Sequence, residues 1–227
     1  MKDDRFIQIT KDGSHTIAVP ALNVTYHSSF GALQESDHVF INAGLKYFIH
    51  QHNITNKSIK ILEIGFGTGL NALLTLQQII ELNQKIFYEA LEPFPLSIET
   101  LVQLNYTDLL NKNLKREFYT LHNCEWNKII SIHELFSFKK IRTTLEQFET
   151  TETFDVIYFD AFDPNVQPEL WTEDIFRKIA ALLNKNGLLV TYSSKGSVRR
   201  AMQAAGFKIE KLKGPAGKRE MVRAVKH

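Results

Sequence analysis

A glycine-rich loop between a buried strand and a helix constrains this chain more than any other sequence feature. Residues 60–65 read Lys-Ile-Leu-Glu-Ile-Gly, which is typical of a buried strand, and residues 71–83 predict a helix rich in Leu, Ala and Gln. The loop between them, Gly-Phe-Gly-Thr-Gly at residues 65–69, can turn tightly and approach a ligand closely. Ligands in open parallel sheets bind beyond the carboxyl ends of the strands. We therefore predict that a nucleotide-like cofactor binds at this loop.

The rest of the chain repeats the strand–helix alternation. Strands are predicted over residues 86–91, 117–121, 154–160, 187–192, 207–212 and 220–225, and helices over residues 96–104, 124–136, 172–183 and 197–205. Alternation of this kind implies a mostly parallel sheet with helices on both faces. The final two strands have no helix between them, so the last strand should be antiparallel. We predict an α/β fold, with residues 56–227 as one domain.

Residues 1–55 are predicted to form an N-terminal extension, part hairpin and part helix. Residues 6–19 alternate weakly around Asp12-Gly13, a common hairpin turn. A second extended stretch is predicted over residues 23–27. Apolar residues recur at helical spacing over residues 39–49.

Charge is distributed unevenly along the chain. The formal net charge is only +2, from 27 basic and 25 acidic residues. Residues 194–227 hold ten Lys and Arg against two Glu, so this end carries +8 and the preceding 193 residues carry −6. Such asymmetry suggests a polyanionic partner for the basic end. A solvated basic surface is the alternative that charge alone leaves open.

Composition excludes several classes of protein. Hydrophobic residues make up 44% and charged residues 23%, which excludes a wholly disordered chain. The single cysteine, Cys124, excludes an intramolecular disulfide, and the eight His show no metal-binding spacing, so no metal site is predicted. The N-terminus lacks an apolar segment behind its charges, and the longest apolar runs are too short to span a bilayer. We expect a cytoplasmic protein with no membrane partner.

Two acidic residues indicate which cofactor the loop binds. Glu63 precedes the glycines, and Glu92 ends the second predicted strand, where a carboxylate can accept hydrogen bonds from ribose hydroxyls. The spacing GxGxG differs from the dinucleotide motif GxGxxG, and no Lys-Ser/Thr pair marks a nucleoside triphosphate site. An acid beside the loop suits the amino group and sulfonium of S-adenosylmethionine and would repel a pyrophosphate. We favour S-adenosylmethionine over NAD; an ordinary glycine turn is the alternative.

Asp160 ends the most strongly predicted strand, in the sequence Asp-Ala-Phe-Asp-Pro. In a doubly wound sheet this strand neighbours the first one, so its end should face the cofactor. A carboxylate there could hold an amine nucleophile and take its proton. A carboxylate alone stabilises the protonated amine, so we expect desolvation by Phe162, Trp171 or Tyr192 to favour the neutral form. An Asx turn that merely ends the strand is the alternative.

Several motifs, in chain order, resemble a single family. They occupy residues 65–71, 160–164, 168–172, 191–200, 206–207 and 214–221. Together they resemble the methyltransferase part of the tRNA 5-methylaminomethyl-2-thiouridine biosynthesis (MnmC/MnmD) family, and residues 26–40 resemble its N-terminal part. The resemblance covers most of the chain. The Pro-Glu-Leu-Trp-Thr and Gly-Lys-Arg-Glu-Met blocks are its most specific elements.

The resemblance implies a class I S-adenosylmethionine-dependent methyltransferase, with a Rossmann-like seven-stranded sheet whose last strand is antiparallel. It implies methyl transfer to the primary amine of 5-aminomethyl-(2-thio)uridine at the tRNA wobble position, with Asp160 as the acid beside the transferred methyl. The residues predicted to bind the cofactor are Glu63, Gly65, Gly67, Gly69, Asn71, Glu92 and Thr144. Those predicted to bind the substrate base or tRNA phosphates are Phe162, Trp171, Tyr192, Lys195, Arg199, Arg200, Lys218 and Arg219.

Two departures from the family pattern affect these expectations. Members of the family often carry a Gly-Asp pair that meets the adenine, whereas residues 142–146 here read Arg-Thr-Thr-Leu-Glu. We expect Thr144 to contact the adenine in place of that pair, with Glu146 as the alternative.

Some members are fused to a flavin-dependent oxidase domain that makes the amine. This sequence contains no such segment, so a separate flavin-dependent or other enzyme is expected to supply the aminomethyl precursor.

Two other functions are weighed against this one. The first is a methyltransferase or aminopropyltransferase acting on a small amine, for which the basic end would have no role. The second is a non-catalytic RNA-binding module with a vestigial cofactor fold. The presence of Glu63, the glycine loop, Glu92 and Asp160 together argues against such a module.

Overall fold

The computed structural model describes residues 5–54 and 57–227. Within these ranges an N-terminal three-stranded antiparallel sheet precedes a larger eight-stranded sheet. The smaller sheet contains β1 (Phe6–Ile9), β2 (His15–Val19) and β3 (Val24–Thr25). The larger sheet contains β4 (Ile59–Ile64), β5 (Ile86–Leu91), β6 (Ile130–His133), β7 (Phe136–Ile141), β8 (Phe154–Phe159), β9 (Leu183–Thr191), β10 (Phe207–Lys213) and β11 (Glu220–Lys226).

The strand order of the larger sheet is β10-β11-β9-β8-β4-β5-β7-β6. Strands β7, β5, β4, β8 and β9 pair in parallel. Strand β11 is antiparallel to both of its neighbours, which confirms the predicted orientation of the last strand. The described sheet has eight strands rather than the expected seven, because β6 adds a short antiparallel strand at one edge.

The helices of the described ranges cover both faces of the larger sheet. They are α1 (Ala32–Ser36), a π-helix (Asp37–Lys46), α2 (Tyr47–His52), α3 (Leu70–Leu82), α4 (Ile98–Leu101), α5 (Tyr106–Leu109), α6 (Lys115–Asn123), α7 (Glu173–Leu182) and α8 (Gly196–Ala204). Successive residues of β8 alternate between two cores. Val156 and Tyr158 pack on the side of the π-helix, α3 and α6, and Ile157 and Phe159 on the side of α7 and α8.

The N-terminal residues pack against the larger sheet. The hairpin predicted around Gly13 is confirmed, with β1 and β2 on either side of it. In the π-helix, a Cβ at Gly44 would lie 3.0 Å from the side chain of Val190 on β9, so this helix lies directly on the sheet. The predicted boundary between residues 55 and 56 lies outside the described residues. No helix in the described ranges is long and apolar enough to cross a bilayer.

The segment between β5 and β8 differs from the sequence expectation. Residues 117–121, predicted as a strand, belong to helix α6, where Phe118 and Leu121 are buried at a helical spacing of three. The helix predicted over residues 124–136 is also wrong, because this region contains a turn and β6. Strand β7 was not predicted, since Lys140 interrupts its apolar face. The buried ammonium of Lys140 donates to the His122 carbonyl near the end of α6.

Candidate active site

A cavity of about 610 Å³ opens at the carboxyl ends of β4, β5 and β8. This is where ligands bind in open parallel sheets. The sequence-predicted residues that line it are Gly65, Gly67, Asn71, Glu92, Thr144, Asp160, Phe162, Tyr192 and Lys218. Predictions made from segments far apart in the sequence therefore converge on one cavity.

The glycine loop forms the floor of the cavity where β4 meets α3. Gly65 has φ +91°, and a Cβ there would lie 2.7 Å from the carbonyl oxygen of Asp160. Gly67 has φ +48°, and its Cβ would lie 3.0 Å from the ring of Tyr26. At Gly69, with φ +71°, a Cβ would meet the ring of His122 at 2.7 Å. Only glycine satisfies both the dihedral angles and the close contacts of this loop.

Glu92 joins the end of β5 to the glycine loop. Its Oε2 accepts a hydrogen bond from the Gly67 N–H and its Oε1 from the Phe94 N–H, both at 2.7 Å. Burial raises the pKa of this carboxyl, against the lowering effect of the two backbone hydrogen bonds. Each carboxylate oxygen has a second lone pair. Glu92 can therefore accept further hydrogen bonds from ligand hydroxyls while it holds the loop.

Asn71, at the start of α3, links two carboxyl groups. Its Nδ2 donates to Glu63 Oε1 at 2.9 Å and to Asp160 Oδ2 at 2.8 Å. Glu63 is fully buried behind Asn71, and burial raises its pKa well above its ordinary value. Within the described residues, Glu63 Oε2 and Asn71 Oδ1 are buried without a hydrogen-bond partner. Glu63 therefore acts on the cavity through Asn71 rather than by lining it.

Asp160 follows β8 and is half-buried on the cavity wall. Burial raises the pKa of this carboxyl from 3.8 to about 7, and the negative charge of Glu35 adds to the increase. The hydrogen bond from Asn71 and the positive charge of Lys218 act in the opposite direction. A carboxyl that titrates near neutral pH can both accept and release a proton under physiological conditions. Asp160 therefore has the properties of a general base.

Aromatic side chains form the wall beside Asp160. The rings of Tyr26 and Phe162 meet edge to face with centroids 5.3 Å apart. Trp171 is buried and does not line the cavity; its Nε1 donates to the Phe162 carbonyl at 2.9 Å. The Tyr192 hydroxyl donates to the Ala161 carbonyl at 2.8 Å. Trp171 and Tyr192 thus hold the loop after β8 in place.

Glu35 and Lys218 form an ion pair on the same wall. The Glu35 carboxylate accepts the Ser28 N–H at 2.6 Å and also accepts a hydrogen bond from the Lys218 ammonium. That ammonium lies 3.9 Å from the centroid of the Tyr192 ring. Sequence reasoning assigned no role to Tyr26, Ser28 or Glu35. Their signal was the family resemblance of residues 26–40.

Residues 143–146 and the loop after β5 also line the cavity. Thr144 and Glu146, the two alternatives predicted to meet an adenine, both line the cavity. Phe94, which is 73% exposed, lines it as well and presents an aromatic surface. This part of the cavity is suited to a planar base.

Four basic residues predicted to bind tRNA are not among the residues that line the cavity but lie near the ends of β9 and β10. Lys195, Arg199 and Arg200 lie at the start of α8, directly after β9. Arg219 lies in the turn after β10. Strands β9 and β10 run in the same direction as β8, since β11 is antiparallel to both β9 and β10, so all four residues lie at the carboxyl edge of the sheet. Lys195 is paired with Asp163 at 2.5 Å, whereas Arg200 and Arg219 are exposed.

The fold and this site define the class of protein. Residues 103–227 match the family model described as S-adenosyl-L-methionine-dependent methyltransferase, and the chain belongs to that family. The matched region is more than half of the chain. The family assignment confirms the enzyme class and the cofactor that were predicted from the glycine loop and its acids.

The resemblance to one branch of methyltransferases is also confirmed. The chain is 31% identical over 220 residues to the tRNA 5-methylaminomethyl-2-thiouridine biosynthesis bifunctional protein MnmC of Burkholderia multivorans, covering 91% of this chain and 33% of the relative. The crystal structure of MNMC2 from Aquifex aeolicus matches with a TM-score of 0.78 and 26% identity, over 98% of this chain and 70% of that one. Spermidine synthase from Thermotoga maritima, with a TM-score of 0.51 and 12% identity over 98% of this chain and 68% of that one, shares only the fold. This chain spans about a third of the length of the curated relatives.

The cavity residues fit S-adenosylmethionine. The cofactor has ribose hydroxyls, which the Glu92 carboxylate on the cavity wall can bind. The cofactor carries no phosphate, and the buried acids Glu63 and Glu92 would oppose one. The donor and acceptor groups of the site therefore agree with the family assignment.

Proposed function

We propose that this chain methylates the primary amine of 5-aminomethyl-(2-thio)uridine at the wobble position of tRNA, forming 5-methylaminomethyl-(2-thio)uridine. The observation that carries the proposal is Asp160, a carboxyl with a pKa of about 7 on the wall of the cavity. The name of the MnmC relatives, which specifies tRNA 5-methylaminomethyl-2-thiouridine biosynthesis, supports this substrate.

The cofactor-binding residues of this chain have separate roles. Bound S-adenosylmethionine supplies an electrophilic methyl group. Glu92 binds the ribose hydroxyls, and the backbone of Gly65 and Gly67 allows close approach of the ligand. The Asn71 Nδ2 keeps Glu63 and Asp160 in position. Thr144 or Glu146, together with Phe94, contacts the adenine.

Asp160 takes the proton that the amine loses. A bound cofactor would give its methyl group to the amine nitrogen, and the electron pair of the methyl–sulfur bond would stay on sulfur. The nitrogen gives up one proton, which Asp160 accepts and later releases to solvent. With a pKa of about 7, Asp160 is ionised in a large fraction of molecules at neutral pH.

The tRNA binds at the carboxyl edge of the sheet. We assign phosphate contacts to Lys195, Arg199, Arg200 and Arg219, because they lie at the same carboxyl edge of the sheet as the cavity. Electrostatic contacts with phosphates supply much of the affinity for nucleic acids. Phe162, supported by Trp171, provides an aromatic surface next to Asp160 on which the uridine ring can pack.

The primary amine must exist on the uridine before this reaction. We propose that a separate enzyme, flavin-dependent or of another class, generates it from a longer substituent. Both steps act on cellular tRNA, so we place this chain in the cytoplasm.

The test uses S-adenosylmethionine with a labelled methyl group. The protein should label tRNA that carries the aminomethyl base, and nucleoside analysis should locate the label on the wobble uridine. A matched tRNA without the aminomethyl group should stay unlabelled. Absence of label from the modified tRNA contradicts the proposal. Labelling of free putrescine instead would favour a small-amine methyltransferase.

A further inference from the structure

The ion pair of Glu35 and Lys218 has no part in the mechanism described above. Glu35 is nine-tenths buried, with its side chain 7% exposed, and that of Lys218 is 33% exposed. Both line the cavity that contains Asp160. A buried carboxylate and an ammonium on the wall of a reaction cavity require an explanation, because desolvating charged groups is costly.

The surroundings of Lys218 differ from those of a phosphate-binding lysine. Its ammonium donates to Glu35 and lies over the face of the Tyr192 ring, 3.9 Å from the centroid. Ion pairing and a cation–π contact hold the ammonium at the cavity wall. These contacts, rather than a phosphate on the outer surface, fix the position of the ammonium. Arg200 and Arg219, by contrast, are exposed.

We propose, on the basis of the proposed function, that Glu35 and Lys218 are a positioning pair that keeps a fixed positive charge beside the accepting amine, so that the amine binds in its neutral, nucleophilic form. Asp160 alone has the opposite effect, because a carboxylate stabilises a neighbouring ammonium. The Lys218 charge opposes this stabilisation. Glu35, itself held by the Ser28 N–H, keeps Lys218 at the wall.

Lys218 acts within a set of charged and titratable groups that face Asp160. The Asp160 charge contributes to the raised pKa of Glu63 and of Tyr88, which are buried behind the cavity. Tyr192 faces Asp160 from the end of β9, and Glu35 does so from α1. On the outer side, the Asp163–Lys195 pair lies close to Tyr192 and Lys218.

Removing the charge of Lys218 and removing the charge of Glu35 should move the pH dependence of kcat in opposite directions. In Lys218→Met the positive charge is lost, so the amine and Asp160 hold their protons more tightly. The acidic limb of the plot of kcat against pH should then move to higher pH. For each pH unit by which the limb moves, kcat at a fixed pH on that limb should fall about tenfold, and kcat should recover in alkaline buffer. Glu35→Gln removes a negative charge but keeps a side-chain oxygen that can accept from the Lys218 ammonium, so Lys218 stays at the wall and the limb should move to lower pH. Lys218→Arg keeps the positive charge and should therefore retain the wild-type pH profile.

The control is Lys208→Met, which removes the same charge from an exposed position on β10. It should leave the acidic limb where it is in the wild type. If Lys218 only contacts phosphate, Lys218→Met should raise the KM for tRNA and leave the acidic limb in place. This result would overturn the proposal.

A second measurement separates this inference from the proposed function. The carboxyl carbon of Asp160 can be titrated by NMR in protein without any substrate. Lys218→Met should raise the titration midpoint and Glu35→Gln should lower it, even if the natural substrate is not tRNA. If Lys218→Met does not fold, Lys218→Gln serves the same purpose. An unchanged midpoint in both the Lys218 and Glu35 variants would overturn the inference whatever the substrate.

Discussion

At Asp160 a single side chain combines a functional role with a cost to stability. Its carboxyl has an ordinary pKa of 3.8, which burial raises to about 7 in the folded protein. The same desolvation that makes the group a useful base makes its ionised form unfavourable. Asn71 offsets part of this cost by donating to Asp160 Oδ2. The residue is thus held in a state that a purely structural position would not require.

We expect Asp160→Asn to lose activity and gain stability. Loss of the base should lower kcat by about 10²- to 10⁴-fold, which single-turnover methylation measures. Cofactor affinity, measured by calorimetry, should stay within about threefold, because the residue's shape is retained. Unchanged turnover would contradict the role assigned to Asp160.

The stability gain should depend on pH. The folded pKa lies above the unfolded one, so the folded state binds the proton more tightly, and wild-type stability falls as pH rises from about 4 to about 7. The neutral Asn avoids this loss. Asp160→Asn should therefore raise the free energy of unfolding by roughly 2–4 kcal/mol more at pH 8 than at pH 4. Denaturant titrations at the two pH values measure this difference, and equal effects at both would contradict the raised pKa.

At the scale of elements, the glycine loop determines how closely β4 and β8 approach each other at the cavity. A Cβ at Gly65 would come within 2.7 Å of the Asp160 carbonyl oxygen, which belongs to the backbone and cannot rotate away. The loop and the end of β8 are therefore a single rigid unit. The hydrogen bond from Gly67 N–H to Glu92 adds the end of β5 to this unit.

We expect Gly65→Ala to weaken cofactor binding by more than tenfold. The matched control is Gly206→Ala, where φ is +93° but no atom lies within 4 Å of the added Cβ. Both variants should lose about 1 kcal/mol or more of stability because alanine disfavours positive φ. Only Gly65→Ala should lose affinity for S-adenosylmethionine in calorimetry. Equal affinity in the two variants would show that close packing at this loop is not required.

Sequence reasoning succeeded for elements whose local signal agrees with their tertiary surroundings. Strands β4, β5 and β8 are apolar and bounded by polar residues, and their positions were predicted closely. Helix α7 begins after Thr172, whose side chain accepts the Ile175 N–H as an N-cap. Helix α6 was mistaken for a strand because its Phe, Tyr and Thr residues have high β-propensity. Strand β7 was missed because a buried lysine, Lys140, breaks its apolar pattern, and only a distant carbonyl and Trp126 explain that burial.

At the scale of the whole molecule, the structure shows where the basic end of the chain lies. The C-terminal segment carries +8, and its basic residues at the start of α8 and in the β10–β11 turn lie at the edge where the cavity opens. Two of these charges are paired with carboxylates from outside the segment, Lys195 with Asp163 and Lys218 with Glu35. The charge available to a polyanion is therefore smaller than the sequence suggests.

We expect the affinity for tRNA to fall steeply with salt, because bound phosphates release counterions. Arg200→Gln and Arg219→Gln should each weaken binding and reduce the slope of log Kd against log salt concentration by roughly 0.7–0.9. Lys112→Gln, which removes a charge from an exposed site outside the basic segment, serves as the control. Filter-binding titrations at several salt concentrations measure the slope. Salt-independent binding would contradict a phosphate-dominated interface.

The sequence by itself determined the strand–helix order, the glycine loop and the acids at the ends of β4, β5 and β8. These depend on spacing along the chain, since parallel strands bring their carboxyl ends to one edge whatever the details of packing. The tertiary structure alone decided that Glu35 meets Lys218, 183 residues away, and that Asp160 titrates near pH 7. Ion pairing between distant segments and desolvation both depend on which surfaces the fold brings together. No local pattern of residues encodes them.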